Sequence, residues 1–420
     1  MTNIFDPLTL PNGMMISNRL CKAAMEENMA EAGQVPGEAL INLYTQWAAG
    51  GPGLILTGNV MVAPDAMTGP GGVYLGKGVL DDPSVRQSFE RWAKAGKSGG
   101  AKLFMQISHP GRQVYASMGT DVVSASDTKL NMEGPAAKMF TEARALTHEE
   151  VLGKIEQFAD AADAAKSAGF DGVQIHSAHG YLVAQFLSPL TNLRTDKWGG
   201  PLENRAGFLL EIVRAVRARV GGDFGVGVKL NSADFQRGGF DVEDAKQVVT
   251  WLNDEAIDFV ELSGGNYESA AMAGISEDGR ADSTTEREMY FIDFAKDIAD
   301  AAAMPIMVTG GVTKRETAAA ALSDGKVDII GIARAFGFNA HIPADWKAGK
   351  NLHIPLPDIK SKNKTFRVLA GMSLTKENLY RMGTGRSPKN NQSPLWAVIK
   401  GQVRQAKQTK RYKKWLSSRA

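Results

Sequence analysis

The chain has 420 residues, of which 43% are hydrophobic, and this is enough to build one large barrel or two domains of ordinary size. Its formal net charge of only +2 argues against strong nucleic-acid binding, so we expect no nucleic-acid partner. A single cysteine, Cys21, excludes an internal disulfide, a thiolate zinc site and an iron–sulfur cluster. Since no signal peptide and no transmembrane run is evident, we expect a cytoplasmic protein.

The charge is distributed unevenly along the chain. Residues 341–420 carry 18 basic and 3 acidic side chains, whereas the preceding residues carry 30 basic and 43 acidic ones. The sequence therefore predicts an acidic domain at 1–340 and a basic, partly helical extension at 341–420. We expect the extension to dock on the acidic domain. Contacts between the subunits of a homo-oligomer, or with anionic surfaces, are the alternatives.

The first predicted element is a β-hairpin at LTLPNGMMIS (8–17), with Asn12 and Gly13 at its turn. Beyond it, short apolar runs rich in β-branched residues alternate with longer amphipathic segments, as in repeated strand–helix units. Eight of these runs are predicted to be strands: RLCKAAM (19–25), GLILTGNVMV (53–62), KLFMQI (102–107), GVQIHSA (172–178), GVGVKLN (225–231), FVELSGG (259–265), PIMVTGG (305–311) and IIGIARA (329–335). The clearest predicted helices are 83–96, 147–169, 242–256 and 314–325.

Eight strand–helix units favour an α/β fold of the (β/α)₈ TIM-barrel class, in which the N-terminal hairpin would plug the bottom of the barrel. A doubly wound open sheet is the alternative. Active sites of such barrels lie at the C-terminal ends of the strands. The long segment 108–146 follows the third strand on that face and is predicted to be a lid. We expect it to shape a substrate pocket together with the loop GGNYESAAM (264–272).

Two of the six histidines of the chain, His176 and His179, lie at the end of the fourth predicted strand, in IHSAHGYL (175–182). The bend there would let both rings point into the barrel mouth. From the spacing alone, core or capping histidines are supported as well as functional ones. A metal site is disfavoured, because the spacing is not that of the helical His-Glu-x-x-His motif and no third ligand follows.

A second signal follows strands seven and eight, where barrels bind phosphate on backbone N–H groups. The segments are VTGGV (308–312) and GIARAFG (331–337). Gly310 and Gly311 would let the backbone approach a ligand closely, and Arg334 could add a charge-assisted contact. Together they indicate a phosphorylated ligand, whereas tight turns that need glycine are the alternative.

Several segments resemble motifs of the Old Yellow Enzyme family, whose members are FMN-dependent ene-reductases. The resemblance covers residues 3 to about 340. The matching segments are FDPLTLPNGMMISNRL (5–20), QISHPGRQ (106–113) and HSAHGYLVAQFLSPLTNLRTDKWGGPLENRAGFLLEIV (176–213). The resemblance implies bound FMN, reduction by NADH or NADPH, and an activated alkene as the substrate.

The resemblance also implies roles for residues at the cofactor. Gln106 would hydrogen-bond the pyrimidine edge of the flavin, and Lys229 would lie beside flavin N1, where positive charge stabilises the reduced anion. Backbone groups of Gly311, Ala333 and Arg334 would hold the FMN phosphate.

At the substrate, the resemblance implies that His176 and His179 bind a carbonyl or nitro oxygen and that Tyr181 donates the final proton. The chemistry agrees with these roles. Two imidazole donors can stabilise the negative charge that develops on this oxygen. A tyrosine hydroxyl, with a reference pKa of about 10, stays protonated at neutral pH and can supply a proton.

The family pattern places Met25, Glu26 and Asn59 against the flavin, and here the sequence departs from it. The family has Pro-Met followed by Thr or Cys at the end of strand one, whereas this chain has Ala24, Met25 and Glu26. Thr and Cys can donate a hydrogen bond to the flavin, but an ionised Glu cannot. The carboxyl group therefore disfavours reduced flavin, is protonated, or points away.

Two other functions compete with the flavin enzyme. The first is a colourless barrel enzyme that uses a divalent metal, or a Schiff base at Lys229, on a phosphorylated substrate. The second is a non-catalytic flavin-binding protein that uses its basic extension to recruit a partner. The combination of His176, His179 and Tyr181 favours the enzyme.

Overall fold

The computed structural model describes residues 2–132, 138–265, 268 and 295–419. The strands are, in chain order, β1 (Leu8–Thr9), β2 (Met15–Ile16), β3 (Leu20–Lys22), β4 (Leu54–Leu56), β5 (Val60–Met61), β6 (Val73–Tyr74), β7 (Lys102–Ser108), β8 (Val123–Ser124), β9 (Arg144–Ala145), β10 (Gly172–Ser177), β11 (Gly225–Asn231), β12 (Phe259–Ser263), β13 (Ile306–Thr309) and β14 (Ile329–Ile332). The helices that lie wholly within the described residues are α1 (Glu38–Ala49), α2 (Pro83–Lys97), α3 (His148–Ser167), α4 (Leu182–Leu187), α5 (Leu202–Val220), α6 (Val242–Leu252), α7 (Arg315–Ala321), α8 (Ile342–Lys347), α9 (Lys364–Gly383) and α10 (Pro394–Ser417).

Eight parallel strands form a closed barrel. Their order around the ring is β3, β4, β7, β10, β11, β12, β13 and β14, and β14 pairs with β3 to close it. This confirms the (β/α)₈ barrel, and the open doubly wound sheet is wrong. Since all eight strands run the same way, their C-terminal ends meet at one mouth.

The N-terminal hairpin closes the opposite end of the barrel. Strands β1 and β2 are antiparallel, and Leu10 and Ile16 are buried in one cluster with interior residues of the barrel strands, among them Phe104 and Phe259. The Asn12 backbone N–H donates to a carboxylate oxygen of Asp258, at 2.9 Å, just before β12. The prediction of a hairpin plug is therefore confirmed.

The second predicted strand, 53–62, is wrong as a single element. Only β4 belongs to the barrel ring there, and β5 pairs instead with the end of β7 and with β6. The break falls at Gly58, whose N–H donates to Glu27 and where a Cβ atom would collide with the Glu27 carboxylate.

Helix α6 also ends four residues before the predicted boundary, because residues 253–256 form a turn in which Ala256 has a positive φ of 48°.

The predicted lid is not a plain loop. It contains the short parallel pair β8–β9, and its residues 133–137 lie outside the described residues. The Arg112 guanidinium donates to the Lys129 carbonyl, at 2.9 Å, and to the Glu268 carboxylate, at 2.6 Å. Apart from residues 264, 265 and 268, the loop 264–272 also lies outside the described residues, so its expected part in the pocket stays a prediction.

The C-terminal extension packs on the mouth side of the barrel. The Tyr380 hydroxyl and the Gln408 amide both donate to the Asn28 carbonyl, at 2.6 Å each, in the loop after β3. The buried Tyr412 donates to the Pro64 carbonyl at 2.9 Å. In the described part of the chain, no helix has the length and apolar composition needed to span a membrane. A domain boundary at residue 340 and a homo-oligomer stay predictions.

A buried ion pair joins the barrel to α1. Lys22 is fully buried, and its Nζ donates to the Leu56 carbonyl at 2.9 Å, lies 3.7 Å from Glu27 Oε1 and lies 4.0 Å from the centre of the Trp47 ring. Tyr44 donates to the same Glu27 oxygen at 2.6 Å. Burial lowers the pKa of Lys22 to about 8, although the Glu27 carboxylate partly opposes this change.

We expect Glu27→Gln to lower the free energy of unfolding by about 3–5 kcal/mol at pH 7, because it leaves the Lys22 charge buried without its partner. Urea denaturation measures this change. The deficit should be smaller at pH 9 than at pH 7, because wild-type Lys22 also loses its buried charge as the pH rises through about 8. The control, Glu38→Gln, removes the solvent-exposed Arg91–Glu38 pair and should cost much less, because water screens an exposed pair. Equal losses of unfolding free energy in the two variants would contradict the claim that the buried Lys22–Glu27 pair stabilises the fold more than an exposed pair.

Candidate active site

Two of the predicted site residues, His176 and Lys229, lie at the mouth of the barrel on neighbouring strands. His176 of β10 is aligned with Lys229 of β11, which is aligned with Glu261 of β12. His176 is 2% exposed and Lys229 is 3% exposed. The parallel register therefore brings a histidine, a cation and a carboxylate to the same level of the barrel.

The turn after β10 brings three side chains together. His179 and Gly180 both have left-handed backbone conformations, with φ of 58° and 71°, which turn the chain sharply toward α4. The ring centres of His176 and His179 lie 5.1 Å apart, and those of His176 and Tyr181 lie 4.8 Å apart, edge to face. The structure thus brings together the three residues that the sequence singled out.

Three polar side chains hold this turn, and sequence reasoning missed all of them. Asn231 accepts a hydrogen bond from the His179 backbone N–H at 3.0 Å, and Gln113 donates to the His179 carbonyl at 2.9 Å. The Ser263 hydroxyl lies 2.8 Å from His179 Nε2. Asn231 and Ser263 are the last residues of β11 and β12, and this position at the strand ends is the signal that could have found them.

Both histidines are neutral at neutral pH. Burial lowers the pKa of His176 and of His179 well below 6.5, and the nearby Lys229 charge lowers both further. His176 Nδ1 accepts the Ala178 backbone N–H at 3.2 Å, so the ring proton belongs on Nε2. His176 therefore offers an uncharged N–H donor through Nε2.

The residues expected beside the flavin form a polar layer inside the barrel. Gln106 and Lys229 are both buried, and each already has a side-chain partner. Gln106 Nε2 donates to Gln174 Oε1 at 2.6 Å, and Lys229 Nζ donates to Glu261 Oε1 at 2.7 Å. Neither Gln174 nor Glu261 was singled out by the sequence.

The two predicted phosphate-binding segments lie side by side. Gly310 and Gly311 follow β13 directly, and Ala333 and Arg334 follow β14. These strands are neighbours, with Thr309 aligned to Gly331. Gly311 has a positive φ of 59°, a conformation that glycine adopts without strain. Backbone amides and an arginine thus meet at one edge of the mouth, an arrangement suited to phosphate.

The loop after β3, the first barrel strand, brings Glu26 close to Asn59 and Thr68. The Thr68 hydroxyl donates to the Glu26 carboxyl group, and the Asn59 side chain also hydrogen-bonds it. Burial raises the pKa of Glu26 above its usual value, whereas the positive charge of Lys376 from α9 partly opposes this. Met25, next to Glu26, packs against the main hydrophobic core.

The residues present fit a bound FMN. Asn59 Oδ1 is buried and has no hydrogen-bond partner within the described residues, as expected of an acceptor that a ligand would satisfy. The mouth also offers a buried cation at Lys229 and an amide at Gln106. Glycine backbone beside Arg334 completes a set of groups that matches the charge and polarity of a flavin mononucleotide.

Comparison with known proteins agrees with this fit. Residues 3–353 match the family model described as the NADH:flavin oxidoreductase / NADH oxidase family. The chain is 36% identical over 350 residues to the NADH-dependent flavin oxidoreductase iliE of Hypocrea jecorina, covering 80% of this chain and 87% of that protein. It is 37% identical over 363 residues to the NADH-dependent flavin oxidoreductase nadA of Aspergillus parasiticus, covering 84% of this chain and 80% of that protein.

Among solved structures, the Old Yellow Enzyme homologue from Zymomonas mobilis superimposes with a TM-score of 0.68 at 26% identity, covering 83% of this chain and 93% of that one. The barrel, the polar layer at its mouth and these relatives lead to one assignment. The chain belongs to the NADH:flavin oxidoreductase / NADH oxidase family, of the Old Yellow Enzyme type, and is an FMN-dependent, NAD(P)H-consuming oxidoreductase.

Proposed function

We propose that the protein reduces an activated C=C bond, in an α,β-unsaturated carbonyl or nitro compound, at the mouth of the barrel. The observation that carries this proposal is the group formed by His176, His179 and Tyr181. The ring centres of His179 and Tyr181 lie 5.1 Å and 4.8 Å from that of the buried His176. Two neutral imidazoles beside a tyrosine can bind an oxygen and deliver a proton without adding charge of their own.

FMN, when bound, supplies a hydride from N5 after it has been reduced by NAD(P)H. Gln106 and Lys229 would hold its ring system, and backbone groups of Gly311, Ala333 and Arg334 would hold its phosphate. The relatives named NADH-dependent support NADH rather than NADPH as the reductant.

The chain's own residues complete the reaction. His176 and His179 would donate hydrogen bonds to the substrate oxygen and stabilise the negative charge that reaches it when hydride adds to the β-carbon. The O–H bond of Tyr181 would then break as its proton adds to the α-carbon, and solvent would return the proton. The C=C bond gains one hydride and one proton, so charge is balanced.

The test is anaerobic turnover with NADH and 2-cyclohexenone. The proposal predicts that NADH consumption depends on the alkene and yields one cyclohexanone per NADH consumed. NADH consumption that occurs only with oxygen, with the alkene recovered unchanged, would contradict it.

Glu26 is expected to lower the reduction potential of the bound flavin. Its carboxyl group lies in the loop after β3, the first barrel strand, where the family carries a hydrogen-bond donor. Negative charge there disfavours the reduced cofactor. We therefore expect Glu26→Thr to raise the two-electron potential by about 30 mV, which corresponds to ~1.4 kcal/mol. Equilibration with a redox dye measures the shift.

Glu31→Gln is the control for this experiment, since it removes a nearby carboxylate in the same loop without changing the position where the family carries Thr or Cys. It should leave the potential unchanged. If Glu26→Thr also leaves it unchanged, the carboxyl group does not act on the flavin.

A further inference from the structure

One buried carboxylate in the barrel has no part in the proposed reaction. Glu261 of β12 is fully buried, and it lies two residues beyond Phe259, which belongs to the apolar floor of the barrel. A carboxylate in such a place needs charged and hydrogen-bonding partners, because burial without them is costly. Each of its two oxygens has a partner on another strand.

Those partners form a chain of hydrogen bonds across the barrel. Lys229 Nζ donates to Glu261 Oε1 and Gln174 Nε2 donates to Glu261 Oε2, both at 2.7 Å. Gln106 Nε2 then donates to Gln174 Oε1 at 2.6 Å. Gly227, which is paired with Gln174 on the intervening strand, has no side chain, and a Cβ atom there would collide with the ring of Phe259.

The chemistry of the carboxylate sets the direction of every bond in this chain. A carboxylate only accepts hydrogen bonds, so Gln174 must turn its NH₂ group toward Glu261 and its oxygen toward Gln106. Gln106 must then turn its own NH₂ group toward Gln174. The oxygen of Gln106 is left on the other side, where it can accept a hydrogen bond.

We propose that Glu261 is a positioning residue for the flavin, which holds Lys229 directly and, through Gln174, fixes the amide of Gln106 with its oxygen toward the cofactor. This inference rests on the proposed roles of Gln106 and Lys229. The acceptor suits the N3–H group of a flavin pyrimidine ring. The paired carboxylate also balances the Lys229 charge, so that the cation stabilises the reduced flavin less than an unpaired lysine would.

The variant Glu261→Gln tests two claims: the hydrogen-bond relay from Glu261 through Gln174 to Gln106, and the balance of the Lys229 charge by Glu261. A neutral amide at 261 would keep its oxygen on Lys229 and offer its NH₂ group to Gln174, which reverses both glutamines and turns the Gln106 NH₂ group toward the flavin. We expect the FMN dissociation constant to rise three- to tenfold, as for the loss of one hydrogen bond. We also expect a more positive flavin potential, because a negative charge has been removed.

Two further variants separate the hydrogen-bond relay from the charge balance. Gln174→Met breaks the relay but keeps the Lys229–Glu261 pair, so FMN should bind more weakly with no change in potential. Asp258→Asn removes another buried carboxylate, which pairs with Arg217 at 3.1 Å directly before β12 and does not face the mouth. This control should alter neither the potential nor FMN affinity.

FMN affinity is measured by fluorescence titration of the full chain after the cofactor is removed, and the potential by dye equilibration of the holoenzyme. Wild-type affinity in both Glu261→Gln and Gln174→Met would overturn the relay. An unchanged potential in Glu261→Gln would overturn the charge balance between Glu261 and Lys229. If Glu261→Gln does not fold, Gln174→Met alone decides. If Gln106→Leu leaves FMN affinity unchanged, the proposed role of Gln106 fails, and the relay fails with it.

Discussion

Tyr181→Phe is expected to slow alkene reduction by a factor of about 10²–10⁴, because it removes the proposed proton donor. The phenyl ring keeps its edge-to-face contact with His176, so the fold and the histidine positions should persist. Reduction of the flavin by NADH needs no proton from this residue and should keep its rate. Anaerobic stopped-flow spectroscopy of the two half-reactions separates these effects.

The matched control for this variant is Tyr74→Phe. Tyr74 is also buried, but it packs against Trp415 of the C-terminal helix, away from the histidines. It should leave both half-reactions unchanged. An unchanged alkene rate in Tyr181→Phe would assign the proton to another donor.

The double variant His176→Ala, His179→Ala is expected to abolish the binding of phenol while FMN stays bound. Each lost donor to the substrate oxygen should also lower alkene turnover, by about 10²–10³ for a donor of this kind. Because burial holds the pKa of both rings well below 6.5, neither histidine should gain a proton between pH 7 and pH 8. Phenol binding should therefore not be limited by histidine protonation in this range.

Spectral titration with phenol measures the effect, and His148→Ala is its control. The His148 ring accepts a hydrogen bond from Trp198 at 2.9 Å, at the start of α3 and apart from the mouth. Loss of FMN, rather than of phenol, in the double variant would place the histidine pair at the cofactor instead of the substrate oxygen.

Much of the fold follows from short-range pattern. The alternation of apolar strands and amphipathic helices predicts the barrel, and local signals such as the capping box of Thr147 and Glu150 fix the start of α3. Because all barrel active sites lie at the C-terminal strand ends, the same pattern predicts that His176, Lys229 and Arg334 share one mouth. The break at Gly58 could not be predicted, since it depends on the Glu27 carboxylate packing against the backbone there.

The hydrogen-bond partners of the site residues could not be predicted from the sequence. Gln174 and Glu261 each lie between two apolar neighbours in their strands, and they are 87 residues apart. Their contact exists only because the closed barrel turns both side chains inward. The roles of Ser263 and Asn231 likewise depend on their hydrogen bonds to His179, which form only in the folded barrel.

The proposed alkene reduction at a bound FMN is tested most directly by the visible absorption spectrum of the purified protein, recorded without oxygen before and after NADH and then after 2-cyclohexenone. We expect a flavin band that NADH bleaches and that the alkene restores. A flavin band that NADH bleaches but the alkene does not restore would contradict the proposed alkene reduction. The absence of a flavin band, even after incubation with FMN, would contradict the cofactor site at the mouth of the barrel.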